Sequence, residues 1–182
     1  MDDADLIRDW QQGGHRAFEA LVRRWQEPVS RFLYHMVERK ETVPDLCQEV
    51  FLRVYQARSR YRGTGKFSTW LYQIALNIAR DAARRRRHQQ LTLEDGDLPG
   101  EGACPVEAFA QQEIVEVVNR AIAALAEPLR IVLVLHHYEG MTFEEMAPLL
   151  DAPASTLRSR FATALGRLRE QLRNWKDEET PR

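Results

Sequence analysis

The feature that most limits the fold of this chain is one interruption in an otherwise helical pattern of apolar residues. Before residue 90 and after residue 107, apolar side chains recur at intervals of three and four, the spacing of one helix face. Residues 91–106 instead hold three glycines, two prolines and several acids, with little to bury. No stretch alternates as a strand does. We therefore predict an all-α fold, with two small helical domains joined by an acidic flexible linker.

The predicted boundaries are 1–90 for the N-terminal domain, 91–110 for the linker, 111–176 for the C-terminal domain and 177–182 for a tail. Within the first domain, Gly13-Gly14 separates two helices. Pro28 lies inside a long apolar run, so we expect the helix to break there and a new one to open. Further helices are expected after Pro44 and after the glycine-containing turn at 62–65.

The end of the chain has the pattern of a helix-turn-helix. Thr142 and Glu145 have the spacing of a capping box, which predicts a helix running to Leu150. A tight turn at 151–153 and a last helix to about Trp175 follow. Pro148 lies inside the first of these helices, where it removes a backbone hydrogen bond, so we expect that helix to bend or to end early.

Composition and motifs exclude several classes of protein. No apolar run approaches the ~20 residues needed to span a bilayer, and the N-terminus has no secretory signal. Cys47 and Cys104 fit no metal-ligand spacing and are interpreted as a buried hydrophobe and a loop thiol. Adjacent His136 and His137 point about 100° apart on a helix and, with Glu139, make no metal site. We expect a cytoplasmic protein that is not an enzyme and takes no metal, cofactor or small-molecule substrate.

Charge is segregated along the chain although the formal net charge is only −1. Residues 53–90 hold 10 basic residues and one acid, whereas residues 91–116 hold no basic residue and seven acids. This asymmetry favours a polyanion-binding surface beside an acidic connector.

One face of the last helix is suited to duplex DNA. Its apolar face contains Leu157, Ala164 and Leu168, and the opposite face carries small or hydroxyl side chains with arginines on its flanks. Such a face can approach base edges closely, while arginine reaches phosphate or guanine. The alternative is a solvated amphipathic helix. The candidate DNA-binding residues are Ser155, Thr156, Arg158, Ser159, Arg160 and Thr163.

A second candidate surface lies on the helix from Phe67. Polar and basic side chains recur there at intervals of four and three, which places them on one ridge: Gln73, Asn77, Arg80, Arg84 and Arg87. A ridge with amides and no carboxylate fits a nucleic-acid backbone and bases better than a plain solvated face. Tyr61 and Tyr72 are the candidates for stacking on unpaired bases, whereas Phe67 and Trp70 are more typical of a core.

A third surface lies on the predicted helix at 45–57. Asp45, Gln48, Glu49 and Leu52 point away from its apolar face. An apolar Leu52 among carboxylates and amides is typical of a small protein-docking patch; a simple solvated face is the alternative.

These motifs together resemble a bacterial sigma factor of the extracytoplasmic-function (ECF, group IV) type. The resemblance rests on segments 17–22, 45–55, 67–77, 141–147 and 153–160, which occur in the family's order. Two departures are Ser155, where the family usually has glycine, and Ala162-Thr163, where it usually has a bulky or basic pair. They imply an altered promoter preference or weaker duplex binding.

The resemblance implies transcription initiation, with RNA polymerase core, promoter DNA and an anti-sigma factor as partners. Asp45, Gln48, Glu49 and Leu52 would bind the polymerase clamp coiled coil, and the C-terminal domain would meet the flap. The face at 155–163 would read the minus-thirty-five element, and the linker would run toward the RNA exit path. An anti-sigma factor would hold the chain near the inner membrane. The melted minus-ten element, with one flipped base, would be read by Arg60, Tyr61, Arg62, Lys66, Gln73, Asn77, Arg80 and Arg84.

The competing interpretation is a regulator that binds duplex DNA alone, as a dimer. It explains the helix-turn-helix but gives no role to the ridge or to a separate N-terminal domain.

Overall fold

The computed structural model describes residues 2–61, 63, 65–92 and 109–179, and their regular structure is entirely helical. The all-α prediction is confirmed. The predicted linker lies largely outside the described residues, and Cys104 and Arg62 lie outside them entirely. The helices are α1 (Asp3–Gln11), α2 (His15–Met36), α3 (Val43–Gln56), α4 (Phe67–Thr92), α5 (Phe109–Ala123), α6 (Glu127–His137), α7 (Phe143–Leu150) and α8 (Ala154–Glu179).

Helices α1–α4 form the N-terminal domain, and its second helix corrects the prediction made at Pro28. Helix α2 is continuous over 22 residues with Pro28 inside it. A proline in a helix interior costs about 3 kcal/mol. Leu21 before it and Phe32 and Leu33 after it are all buried, and burying each such side chain contributes about 1.5–3 kcal/mol. Packing of both halves of α2 therefore outweighs the lost hydrogen bond.

Helices α5–α8 form the C-terminal domain, and the predicted helix-turn-helix is present. The amide of Glu145 donates to Thr142 Oγ1 at 3.2 Å, and the amide of Thr142 donates to Glu145 Oε2 at 2.9 Å, which completes the capping box. Pro148 does not end α7 early, because the helix reaches Leu150. Asp151 then turns the chain with a left-handed φ of 48°. Helix α8 extends past Trp175 to Glu179.

The two domains pack directly against each other. Helix α6 contacts α2, and α7 contacts α4. Buried residues of both domains form one continuous apolar cluster, which includes Phe32 and Leu71 on one side and Leu135 and Met146 on the other. None of the described helices is long and apolar enough to cross a membrane.

Candidate nucleic-acid and polymerase interfaces

The loop before α4 and the first turns of α4 enclose an open depression of about 430 Å³, here called the loop pocket. Its volume lies in the range of small-ligand sites. The loop is tied down by two hydrogen bonds, from Gln11 Nε2 to the Tyr61 carbonyl (2.7 Å) and from the Tyr61 hydroxyl to the Gly65 carbonyl (3.1 Å). On the N-terminal side the pocket is lined by Arg60, Tyr61, Lys66, Thr69, Trp70 and Gln73.

The aromatic residues of this region divide differently from the prediction. Tyr61 is partly exposed, and its ring lies 4.8 Å from that of Trp70, so both border the pocket. Tyr72 is only 1% exposed, and its ring packs 5.3 Å from that of Phe32. The prediction that Tyr72 is available for stacking is therefore wrong, because Tyr72 belongs to the buried face of α4. Burial and a hydrogen bond to Glu139 raise the pKa of Tyr72, so it stays protonated.

The basic ridge (Gln73, Asn77, Arg80, Arg84 and Arg87) begins at the loop pocket, which Gln73 also lines, and runs along α4. Gln73 is half-buried, and the other four side chains are exposed, as the spacing predicted. Arg80 forms an ion pair, because its Nε donates to Glu127 Oε1 at 2.8 Å across the domain interface. The ridge and the pocket together form one surface that can follow a single strand and hold one of its bases.

The docking face (Asp45, Gln48, Glu49 and Leu52) lies on the outer side of α3. Leu52 is 56% exposed, which is high for a leucine. Glu49 is half-buried, and its carboxylate lies 2.5 Å from Arg53 Nη2 and 3.8 Å from Arg85 Nη2. Tyr55 was not among the predicted residues of this face; it is 40% exposed one turn beyond Leu52 and enlarges the apolar part of the face.

The recognition face (Ser155, Arg158, Ser159, Ala162 and Thr163) is exposed along α8, as predicted. Arg158 forms an ion pair with Glu144 of α7 and lies 5.6 Å from the centre of the Phe143 ring. The Thr163 hydroxyl donates to the Ser159 carbonyl at 2.9 Å. Thr156 and Arg160 are half-buried at the edges of the face. The arginine is thus held in place by the first helix of its own motif.

The residues considered as metal ligands are dispersed. The His136 ring stacks 4.5 Å from Phe143 inside the helix-turn-helix, and His137 is exposed. Glu139 instead faces the N-terminal domain, where Arg31 Nε and Nη2 donate to its two oxygens at 3.1 and 3.2 Å. Within the described part of the chain there is no group of three residues suited to a metal ion. Buried Cys47 agrees with its interpretation as a small core side chain.

Comparison with known proteins identifies both domains. The family description "Sigma-70 region 2" matches residues 21–89, and "Sigma-70, region 4" matches residues 116–168. The RNA polymerase sigma-H factor of Pseudomonas aeruginosa is 34% identical over 172 residues, which cover 89% of each chain. The ECF RNA polymerase sigma-E factor of Escherichia coli K12 is 33% identical over 174 residues, covering 90% of this chain and 91% of that protein.

Solved structures agree on the fold. CnrH, in complex with the cytosolic domain of CnrY, matches with a TM-score of 0.74 at 23% identity, covering 94% of this chain and 97% of that one. The sigma factor RpoE of Bartonella quintana, in complex with the anti-sigma factor NepR, matches with a TM-score of 0.69 at 19% identity, covering 86% and 96%. The matches at 33–34% identity, which cover about nine tenths of each chain, establish the family. This chain belongs to the ECF RNA polymerase sigma factors, which are transcription initiation factors rather than enzymes.

Proposed function

We propose that this sigma factor opens its promoters by capturing one unpaired base in the loop pocket while the basic ridge follows the melted minus-ten strand. The observation that carries this proposal is the adjacency of the pocket, with Tyr61 and Trp70 at its border, to an exposed row of amide and arginine side chains. Base flipping costs a few kcal/mol, which stacking and hydrogen bonds in the pocket offset. To this step we assign Arg60, Lys66, Gln73, Asn77, Arg80 and Arg84. Arg62, which the sequence predicted for the same role, is assigned with them.

The docking face and the recognition face are assigned to two further contacts, with the polymerase core and with the minus-thirty-five element. The docking face offers an exposed Leu52 between Asp45 and Gln48 to the clamp coiled coil of the polymerase core. The recognition face, with Thr156 and Arg160 at its edges, enters the major groove of the minus-thirty-five element. We further propose a cytoplasmic location and control by an anti-sigma factor. The second of these proposals is supported by RpoE of Bartonella quintana, which was solved in complex with the anti-sigma factor NepR.

Permanganate footprinting with core polymerase tests the melting role. We expect Asn77→Ala to reduce reactivity of the melted region while binding to closed promoter DNA stays near wild type. Asn174→Ala removes the same amide group from an exposed position of α8. It should leave both the permanganate reactivity and the binding to closed promoter DNA unchanged. A wild-type footprint for Asn77→Ala would remove the ridge from the melting step.

A pull-down with core polymerase tests the docking face separately. We expect Asp45→Ala with Gln48→Ala to weaken retention. Glu19→Ala with Gln26→Ala makes the same chemical change on exposed positions of α2 and should not. Equal retention of both double variants would contradict the docking assignment.

A further inference from the structure

Glu139 differs from the other described acids of the C-terminal domain in being buried against the N-terminal domain. Its side chain is 2% exposed in the turn that follows α6. Arg31 of α2 donates two hydrogen bonds to it, and the Tyr72 hydroxyl of α4 donates a third. A carboxylate removed from water requires such partners, because an unpaired buried charge is strongly unfavourable. The three bonds therefore hold the two domains together at one point.

Two more carboxylates of the C-terminal domain reach cations of the proposed DNA-binding surface. Glu145 pairs with Lys66 at the loop pocket, and this contact holds the pKa of Glu145 below its usual range. Glu127 pairs with Arg80 on the ridge at 2.8 Å. Both acids lie in the first turns of their helices, α7 and α6. The C-terminal domain thus places carboxylates against two of the cations that we propose for contacts with DNA.

The same domain also narrows the loop pocket. Pro148 and Leu149, in the last turn of α7, line the pocket together with Tyr61 and Trp70. The contact between α7 and α4 is continuous with the apolar core, and Arg80 of the ridge is paired with Glu127 of α6, so the C-terminal domain occupies space beside the ridge.

We propose that Glu139 is an autoinhibitory latch, which anchors the C-terminal domain over the loop pocket and ridge and so makes it compete with the melted promoter strand. The inference rests on the proposed function of that surface. If only the open form binds a strand, the apparent Kd of the chain is the intrinsic Kd divided by the open fraction. Weakening the latch then tightens binding without any new contact to DNA.

The test uses the full chain without polymerase and a short fluorescein-labelled single strand of randomised sequence at low salt. We expect Glu139→Gln to tighten anisotropy-measured binding about tenfold by raising the open fraction, and to increase the radius of gyration measured by small-angle X-ray scattering. Glu116→Gln removes the same charge from an exposed position of α5 and should change neither quantity. This control separates opening of the domains from the general gain that any lost negative charge gives.

Two further variants keep the outcome decisive. If Glu139→Gln does not fold by circular dichroism, Tyr72→Phe removes one of the three bonds while keeping the aromatic packing, and should act in the same direction with smaller size. Unchanged radius and binding in a folded variant would overturn the latch. A larger radius of gyration without tighter binding of the strand would also overturn it, provided that Arg80→Ala weakens that binding. If Arg80→Ala has no effect, the proposed function of the ridge fails, and the latch fails with it.

Discussion

The two surfaces of this sigma factor that we propose to contact DNA differ in how their arginines are held. On the recognition face, Arg158 is paired with Glu144 and packed beside Phe143, both from the neighbouring helix of the same motif. On the basic ridge, Arg80 is paired with Glu127 of the other domain. The first arrangement persists whenever the C-terminal domain is folded, whereas the second depends on how the domains are placed. The recognition face, whose contacts lie within one motif, is therefore accessible in any arrangement of the domains. The basic ridge, which is paired across the domain interface, can be covered by the other domain.

The largest expected effect comes from breaking the buried contact between the domains. Arg31→Ala leaves Glu139 with Tyr72 alone. Loss of one partner of a fully buried pair costs about 3–5 kcal/mol, and Arg31 is itself 37% exposed, so we expect the lower end of that range. Separation of the domains would expose the Glu139 carboxylate to water. We therefore expect the lost free energy to appear as independent unfolding of the two domains, with one urea transition becoming two. Circular dichroism and tryptophan fluorescence along the titration would measure this.

The control for this experiment is Arg8→Ala. Its pair with Asp5 is 3.4 Å long and Arg8 is 69% exposed, so the change should be below about 1 kcal/mol. A single, slightly shifted transition in Arg31→Ala would show that the domains are coupled by apolar packing and that the buried pair adds little.

Acid should weaken the same interface through His35. This side chain is 6% exposed, and its ring lies 5.6 Å from Tyr34 and 4.6 Å from Tyr138. Burial, followed by the charges of Lys40, Arg31 and Arg130, lowers its pKa from 6.5 to about 4. Between these values the unfolded chain binds the proton more readily, so the free energy of unfolding should fall as pH decreases, by up to about 3 kcal/mol.

Urea titrations between pH 7 and pH 4 would measure this loss. His35→Phe keeps an aromatic ring without the titrating group and should flatten the dependence in that range. His137→Phe, at an exposed position, should retain it. Equal slopes for wild type and His35→Phe would assign the acid sensitivity to other groups.

The recognition face should respond more modestly and without a change in domain placement. Arg158→Ala is expected to cost about 1–3 kcal/mol of duplex affinity if the guanidinium reads a base, and to relax preference at that one position. Arg173→Ala, about 22 Å further along α8, is the matched control. Binding of a duplex series with single substitutions would measure both, and a uniform loss across the series would make Arg158 a phosphate contact instead.

The sequence predicted local structure well and contacts between domains poorly. The capping box at Thr142 and the exposed face of α8 follow from residues a few positions apart. The continuous helix at Pro28 was missed because its compensation comes from tertiary packing on both sides of the proline. The pair of Arg31 and Glu139 joins residues 108 positions apart, so no periodicity signals it. Its one trace was Tyr72, an aromatic residue that directly follows the apolar Leu71 in the sequence.

The smallest expected effect distinguishes the latch from general electrostatics. Glu127 and Arg80 are 45% and 46% exposed, and exposed pairs contribute at most about 1 kcal/mol, less at high salt. Glu127→Gln should therefore tighten binding of the single strand by less than about fivefold, and the gain should vanish as salt is raised. The gain from Glu139→Gln should persist, because it comes from opening rather than from an unscreened charge. Equal effects of the two variants at every salt concentration would mean that negative charge near the ridge, and not a buried anchor, controls access to it.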